Sequence, residues 1–170
     1  VVYGATPAGI AAALSAAPHS RVMLIEQQMN VGGMTTGGLG WDDVDCSYCP
    51  TDSTIPNAAK PSSNVYGKSV YSQFAGNVKG YYAKVSARAL ELSVNGTRHE
   101  PHVAERIFVG MLSQANVTVL TGWRLSHVSL QEQTIATLTL RPTEGDGPSK
   151  TVAGRIFVDA TYEGDLMAEA

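Results

Sequence analysis

The first 26 residues, VVYGATPAGIAAALSAAPHSRVMLIE, constrain this chain more than any other stretch. An apolar strand at Val1–Tyr3 enters a turn containing Gly4. A helix of small residues follows, then a second apolar strand at Val22–Ile25 that ends on Glu26. This strand–turn–helix–strand order is the unit that holds the ADP half of a dinucleotide. Gly4 permits a tight exit from the strand, and Gly9 removes a side chain where helix and strand must approach closely. Thr6 is suited to cap the helix, and Pro7 to its first turn, where no amide hydrogen is needed. The helix start around Ala8 then aims N–H groups and a partial positive charge at a pyrophosphate. Glu26 lies 22 positions after Gly4, where an acid accepts hydrogen bonds from ribose hydroxyls.

The fingerprint is a variant. GxGxxG requires glycine at position 6, and this chain has Thr6, so the string reads G-A-T-P-A-G. Spacing alone is also met by an ordinary βαβ corner with packing glycines; the flanking strands and the placed acid favour nucleotide binding. An acid at the end of the second strand disfavours a 2′-phosphate, which it would repel.

The next feature is VGGMTTGGLGWDD, with five glycines from Gly32 to Gly40. Placed directly after the ribose-binding acid, such a backbone is expected to lie flat against an extended cofactor and offer it N–H groups. Thr35 and Thr36 add hydroxyl donors. The last feature is RIFVDATYEGDLMAEA, an apolar strand finishing on Asp159-Ala160-Thr161, with Gly164-Asp165 opening a helix. It forms another carboxyl-end strand edge of the kind that faces ligands in parallel sheets.

Between these segments, residues 46–65 are rich in Pro, Ser, Asn and Thr, and a loop or insertion is expected over 46–75. Helical spacing over 77–92 (Val78, Tyr81, Tyr82, Val85, Ala89, Leu92) precedes a break at Asn95-Gly96. A further helix is expected at Ala104–Ala115 and a strand at Val117–Leu120. Strand-like runs at Arg124–Leu130, Thr134–Arg141 and Thr151–Asp159 point to a small antiparallel meander over 123–154 that returns into the parallel sheet. Residue 1 already lies within a strand and Ala170 within a helical pattern. The expectation is therefore one α/β domain over 1–170, a Rossmann-like parallel sheet truncated at both ends, and catalytically silent alone.

Net charge is −3 and no Lys/Arg cluster exceeds a pair, which argues against nucleic-acid binding through phosphates. No apolar run reaches the roughly 18–20 residues of a membrane span. A CxxC at Cys46 and Cys49 suggests either a loop disulfide, two idle thiols or a redox dithiol. With no second cysteine pair, zinc is disfavoured. His99 and His102 are three apart but are expected to precede the helix, so no metal site is assigned. Gly67-Lys68-Ser69 lacks the upstream glycine of a P-loop, because Ser62 stands there.

Together these segments resemble the FAD-dependent oxidoreductases of the glutathione-reductase-type flavoprotein superfamily. The resemblance rests on VVYGATPAG, the acid and GG-x-T-x-GGLG loop, Glu100–Ala104 (EPHVA), and Asp159–Ala168 (DATYEGDLMA). It implies FAD bound in extended form, with Gly4, Thr6, Pro7, Ala8, Gly9 and Glu26 around the ADP half. It sets Gly32, Gly33, Met34, Thr35, Thr36 and Gly38 near the ribityl and ring portion, and Ala160 and Thr161 along the cofactor. Only the resemblance brings His102 near the flavin. In the disulfide reductases of that superfamily the redox cysteines follow the Gly-Gly closely, four residues apart, unlike Cys46 and Cys49. No catalytic residue is assigned. The alternatives are a dithiol flavoprotein using Cys46 and Cys49, or a nucleotide-binding module without turnover.

Overall fold

The computed structural model describes residues 1–39, 69–94 and 98–170. In chain order the elements are β1 (Val2–Tyr3), α1 (Pro7–Ala16), β2 (Met23–Glu26), α2 (Gly33–Thr36), α3 (Val70–Val85), α4 (Ala87–Leu92) and α5 (Pro101–Gln114). They continue with β3 (Thr118–Thr121), β4 (Trp123–Gln131), β5 (Thr134–Pro142), β6 (Lys150–Ala153), β7 (Val158–Asp159) and α6 (Asp165–Glu169).

A four-stranded sheet runs β3-β2-β1-β7 with every neighbouring pair parallel, and β4-β5-β6 form a separate antiparallel sheet. Because side chains alternate along a strand, the short parallel strands feed two cores at once. Val2 and Leu24 pack with Ile10, Val78, Phe108 and Leu112 of the helices. Tyr3 and Ile25 point the other way, onto Val128, Leu138 and Leu140 of the antiparallel sheet. The Tyr3 hydroxyl accepts the Leu125 N–H at 2.8 Å, a polar tie between the two sheets. Burial raises the Tyr3 pKa above its ordinary value, against the lowering effect of that hydrogen bond.

Several expected boundaries move. Residues 70–75, expected within the loop or insertion over 46–75, belong to α3, which begins at Val70 and is capped by the Ser69 hydroxyl, which accepts the Ser72 N–H. Residues 46–68 lie outside the described residues. The helix expected over 77–92 is two helices. Ser86 is extended (φ −172°, ψ 161°), and its hydroxyl accepts the Ala89 N–H, which ends α3 and starts α4. Val85 and Leu92, counted toward a buried stripe, are consequently exposed, and Phe74, Val78 and Tyr82 form the buried face of α3. The helix expected from Ala104 starts at Pro101, so His102 lies inside its first turn. The run Thr151–Asp159 splits: β6 completes the meander, and β7 pairs with β1. The Cys46–Cys49 pair and Gly40 lie outside the described residues.

Candidate cofactor site

At the carboxyl ends of β1, β2 and β7 a cleft of about 410 Å³ opens between the α1 turn, the segment after β2 and the segment after β7. This is the location where open parallel sheets bind ligands.

Its floor is the Gly4–Gly9 turn. Gly4 has φ +100°, and a Cβ there would sit 2.7 Å from the Ala160 carbonyl carbon and the Thr161 nitrogen. A Cβ at Gly9 would run into the Gly4 carbonyl oxygen. Both positions therefore exclude a side chain, one by backbone conformation and both by space. Thr6, which replaces the middle glycine of the usual fingerprint, has two tasks. Its hydroxyl accepts the Gly9 N–H at 3.2 Å as the helix cap, and donates to the Ala160 carbonyl at 2.7 Å. Thus the substitution turns the side chain toward β7 and joins the two strand exits. Pro7 has no N–H, while the N–H groups of Thr6 and Ala8 meet no acceptor among the described residues.

Glu26 is 8% exposed, and each of its oxygens accepts a backbone N–H, from Ala5 at 2.7 Å and from Gln28 at 2.8 Å. The acid expected to meet ribose is therefore a brace, holding the Gly4–Gly9 turn against the segment after β2. Each carboxylate oxygen retains a second lone pair for a hydroxyl donor.

The structure brings Gly4, Thr6, Glu26, Gly33, Thr36 and Thr161 together on the cleft wall. Ala8, Gly9, Gly32, Met34, Thr35, Gly38, Pro7 and Ala160 do not line it. Gly9 and Ala160 support the floor from behind. Where the sequence suggested a flat extended backbone, Gly33–Thr36 form a helical turn. Thr36 is not a free donor, since its hydroxyl donates to the Val31 carbonyl at 2.7 Å. The Thr161 hydroxyl is committed likewise, donating to Asp159 Oδ1 at 2.7 Å and accepting the N–H groups of Gly164 and Asp165. Such local closure is what a Thr two residues after an Asp can supply.

Sequence reasoning missed Gln27, Gln28, Asn30, Tyr162 and Glu163, which also line the cleft. The signal available was their position directly after Glu26 and after Thr161. His99, weighed from the sequence only as a metal ligand, is buried, packs edge-on against Phe74 and has Nε2 3.4 Å from the Thr35 carbonyl. His102, three residues on, is exposed and does not line the cleft.

No helix among the described residues is long and apolar enough to cross a membrane. No curated protein matches the chain significantly by sequence. Among solved structures, Thermovibrio ammonificans THI4 is similar in fold, with a TM-score of 0.56 at 16% identity, covering 94% of this chain and 55% of that one. The L-amino acid deaminase from Proteus vulgaris gives 0.49 at 13% identity, covering 94% of this chain and 46% of that one. The chain thus spans about half the length of these structures. The sequence profile of the FAD dependent oxidoreductase family matches residues 1–170. The chain therefore belongs to the FAD dependent oxidoreductase family, and its cofactor is FAD.

Proposed function

We propose that this segment forms the FAD-binding portion of a flavin-dependent oxidoreductase, with the ADP half of FAD in the cleft at the carboxyl ends of β1, β2 and β7. The observation that carries this reading is the paired exclusion of side chains at Gly4 and Gly9, next to N–H groups on Thr6 and Ala8 that meet no acceptor among the described residues. A backbone kept bare at the start of a helix lets phosphate oxygens approach those donors and the positive helix end. The residues present fit FAD on chemistry as well: a buried carboxylate with spare lone pairs stands beside the cleft for ribose hydroxyls. The same carboxylate charge disfavours a 2′-phosphate and so a phosphorylated nicotinamide cofactor.

FAD supplies hydride or electron transfer when bound. In this reading Gly4 and Gly9 set the closeness of approach, Thr6 donates to the pyrophosphate from the cleft wall, and Ala8 donates from the exposed helix end just outside it. Glu26 holds the ribose and braces the turn. Gly33 and Thr161 face the remainder of the cofactor from the two walls. Gly32, Met34, Thr35, Gly38 and Ala160 shape those walls from outside the cleft.

Full-length protein should release FAD on denaturation, identified by chromatography. Gly4→Val, which would drive a branched side chain into Ala160 and Thr161, should abolish flavin loading, while Lys79→Ala, exposed on α3 away from the cleft, does not. Recovery of a phosphorylated nicotinamide cofactor without flavin, or full loading of Gly4→Val, would overturn the proposal. A bound flavin with no substrate turnover in the full-length protein would favour the module without catalysis.

A further inference from the structure

We infer that Tyr162 is a positioning residue for FAD, a strut that caps α2 and ties the Gly32–Gly38 segment to the β7 exit. The inference rests on the reading of the cleft as the FAD site.

Helix α2 has an uncapped start. Its N-cap is Gly32, which has no side chain to accept the first amide hydrogens. The Tyr162 hydroxyl, 128 residues away in sequence, accepts the Met34 N–H at 2.9 Å and takes over that role. The fit depends on Gly33, where a Cβ would collide with the same hydroxyl. Tyr162 and Gly33 both line the cleft, so the contact between them closes its rim.

The strut is held rigid at its base. Asp159 Oδ1 accepts the Thr161 N–H at 3.0 Å and the Thr161 hydroxyl at 2.7 Å. The Thr161 oxygen in turn accepts N–H groups from Gly164 at 3.0 Å and Asp165 at 2.9 Å. Asp159 Oδ2 accepts the Met167 N–H at 2.8 Å. Tyr162 follows directly on this closed loop, which explains why a side chain 54% exposed to solvent still holds one bond. A tyrosine left to itself at that exposure gains little from an ordered position; here the backbone beneath it is already fixed. Its other neighbour, Glu163, also lines the cleft but makes no hydrogen bond with a described residue, so the tie to α2 belongs to Tyr162 alone among the cleft residues of this loop.

The strut joins the segment after β2 to the segment after β7, the two walls between which a cofactor would lie. Removing the hydroxyl frees α2 to fray and lets the walls move independently, which raises the ordering cost of binding. The preorganisation should therefore show as affinity, with little effect on the fold.

The test uses Tyr162→Phe in the full-length protein, which keeps the ring and deletes only the acceptor. In the FAD-free protein, hydrogen exchange at the Met34 amide should speed up by about fivefold or more, the size expected for one lost hydrogen bond. FAD affinity should fall by roughly five- to tenfold, for the same reason. The melting temperature of the FAD-free protein should stay within about a degree or two, because the side chain is largely exposed. Unchanged Met34 exchange together with unchanged FAD affinity, in a protein whose wild type binds FAD, overturns the inference and leaves the cleft reading intact. Full FAD loading of Gly4→Val overturns the cleft reading, and this inference with it.

Discussion

Glu26→Gln separates the brace made by this carboxylate from the ribose contact proposed for it. The side chain is nearly isosteric, but its two oxygens are engaged by Ala5 N–H at 2.7 Å and Gln28 N–H at 2.8 Å. Glutamine can satisfy only one of them with its carbonyl, and its NH₂ then faces the other N–H donor to donor. One charge-assisted bond is lost, at about 1.5–3 kcal/mol, and the surviving one becomes a neutral bond weaker by about 1 kcal/mol. The FAD-free protein should therefore lose about 2.5–4 kcal/mol of stability, a large part of the roughly 5–15 kcal/mol of an ordinary domain. The proposed ribose contact adds a second loss that appears only in affinity, about 1–3 kcal/mol for hydrogen bonds to a charged group. The assay is paired: urea unfolding of FAD-free full-length protein followed by circular dichroism, and FAD titration of protein that remains folded. A changed affinity with an unchanged unfolding midpoint would refute the brace, because the Ala5 and Gln28 contacts exist without ligand. A lowered midpoint with unchanged affinity would remove the ribose role and leave the brace.

Two more outcomes are expected. Gly9→Ala should destabilise by about 1–3 kcal/mol by overpacking, measured by thermal unfolding, since its Cβ meets the Gly4 carbonyl and the fixed turn leaves no room to yield; a melting temperature equal to wild type would contradict the close approach. Asp159→Asn should destabilise near neutral pH by about 1 kcal/mol, through hydrogen bonds to a charged acceptor weakened or lost. Burial alone would raise the Asp159 pKa, but the hydrogen bonds from Thr161, Met167 and Leu166 together hold it below its ordinary value. The stabilisation is therefore complete above the unfolded-state pKa of about 4 and fades as the pH drops through the lower folded value. Wild type and variant should converge in acid unfolding; a gap that persists or widens below that range would show that Asp159 does not act through its charge.

By itself the amino-acid sequence determined the parts whose physics is local. The strand–glycine–helix order of Val1–Ala17, the cap at Thr6, the acid at the end of β2 and the glycine before α6 follow from turn conformation and capping, which depend on a few adjacent residues. The parallel character of the central sheet was legible for a similar reason, because apolar strands separated by helices leave few alternatives. The tertiary structure decided what each polar group does once distant segments meet. Thr6 stood out as a defect in a fingerprint, yet its hydroxyl joins the α1 turn to Ala160, 154 residues on. Thr36 looked like a donor to a ligand, and its hydroxyl is spent on the Val31 carbonyl. Ser86 interrupts a regular helical pattern because its hydroxyl caps the following helix, and the competition between those two hydrogen-bonding choices has no periodicity to betray it. Tyr162 lay inside the DATYEGDLMA string, but nothing in the string assigned it a task. Its role exists only because β7 lies beside β1 and brings that side chain over Gly33, a juxtaposition set by the pairing of strands far apart in the chain.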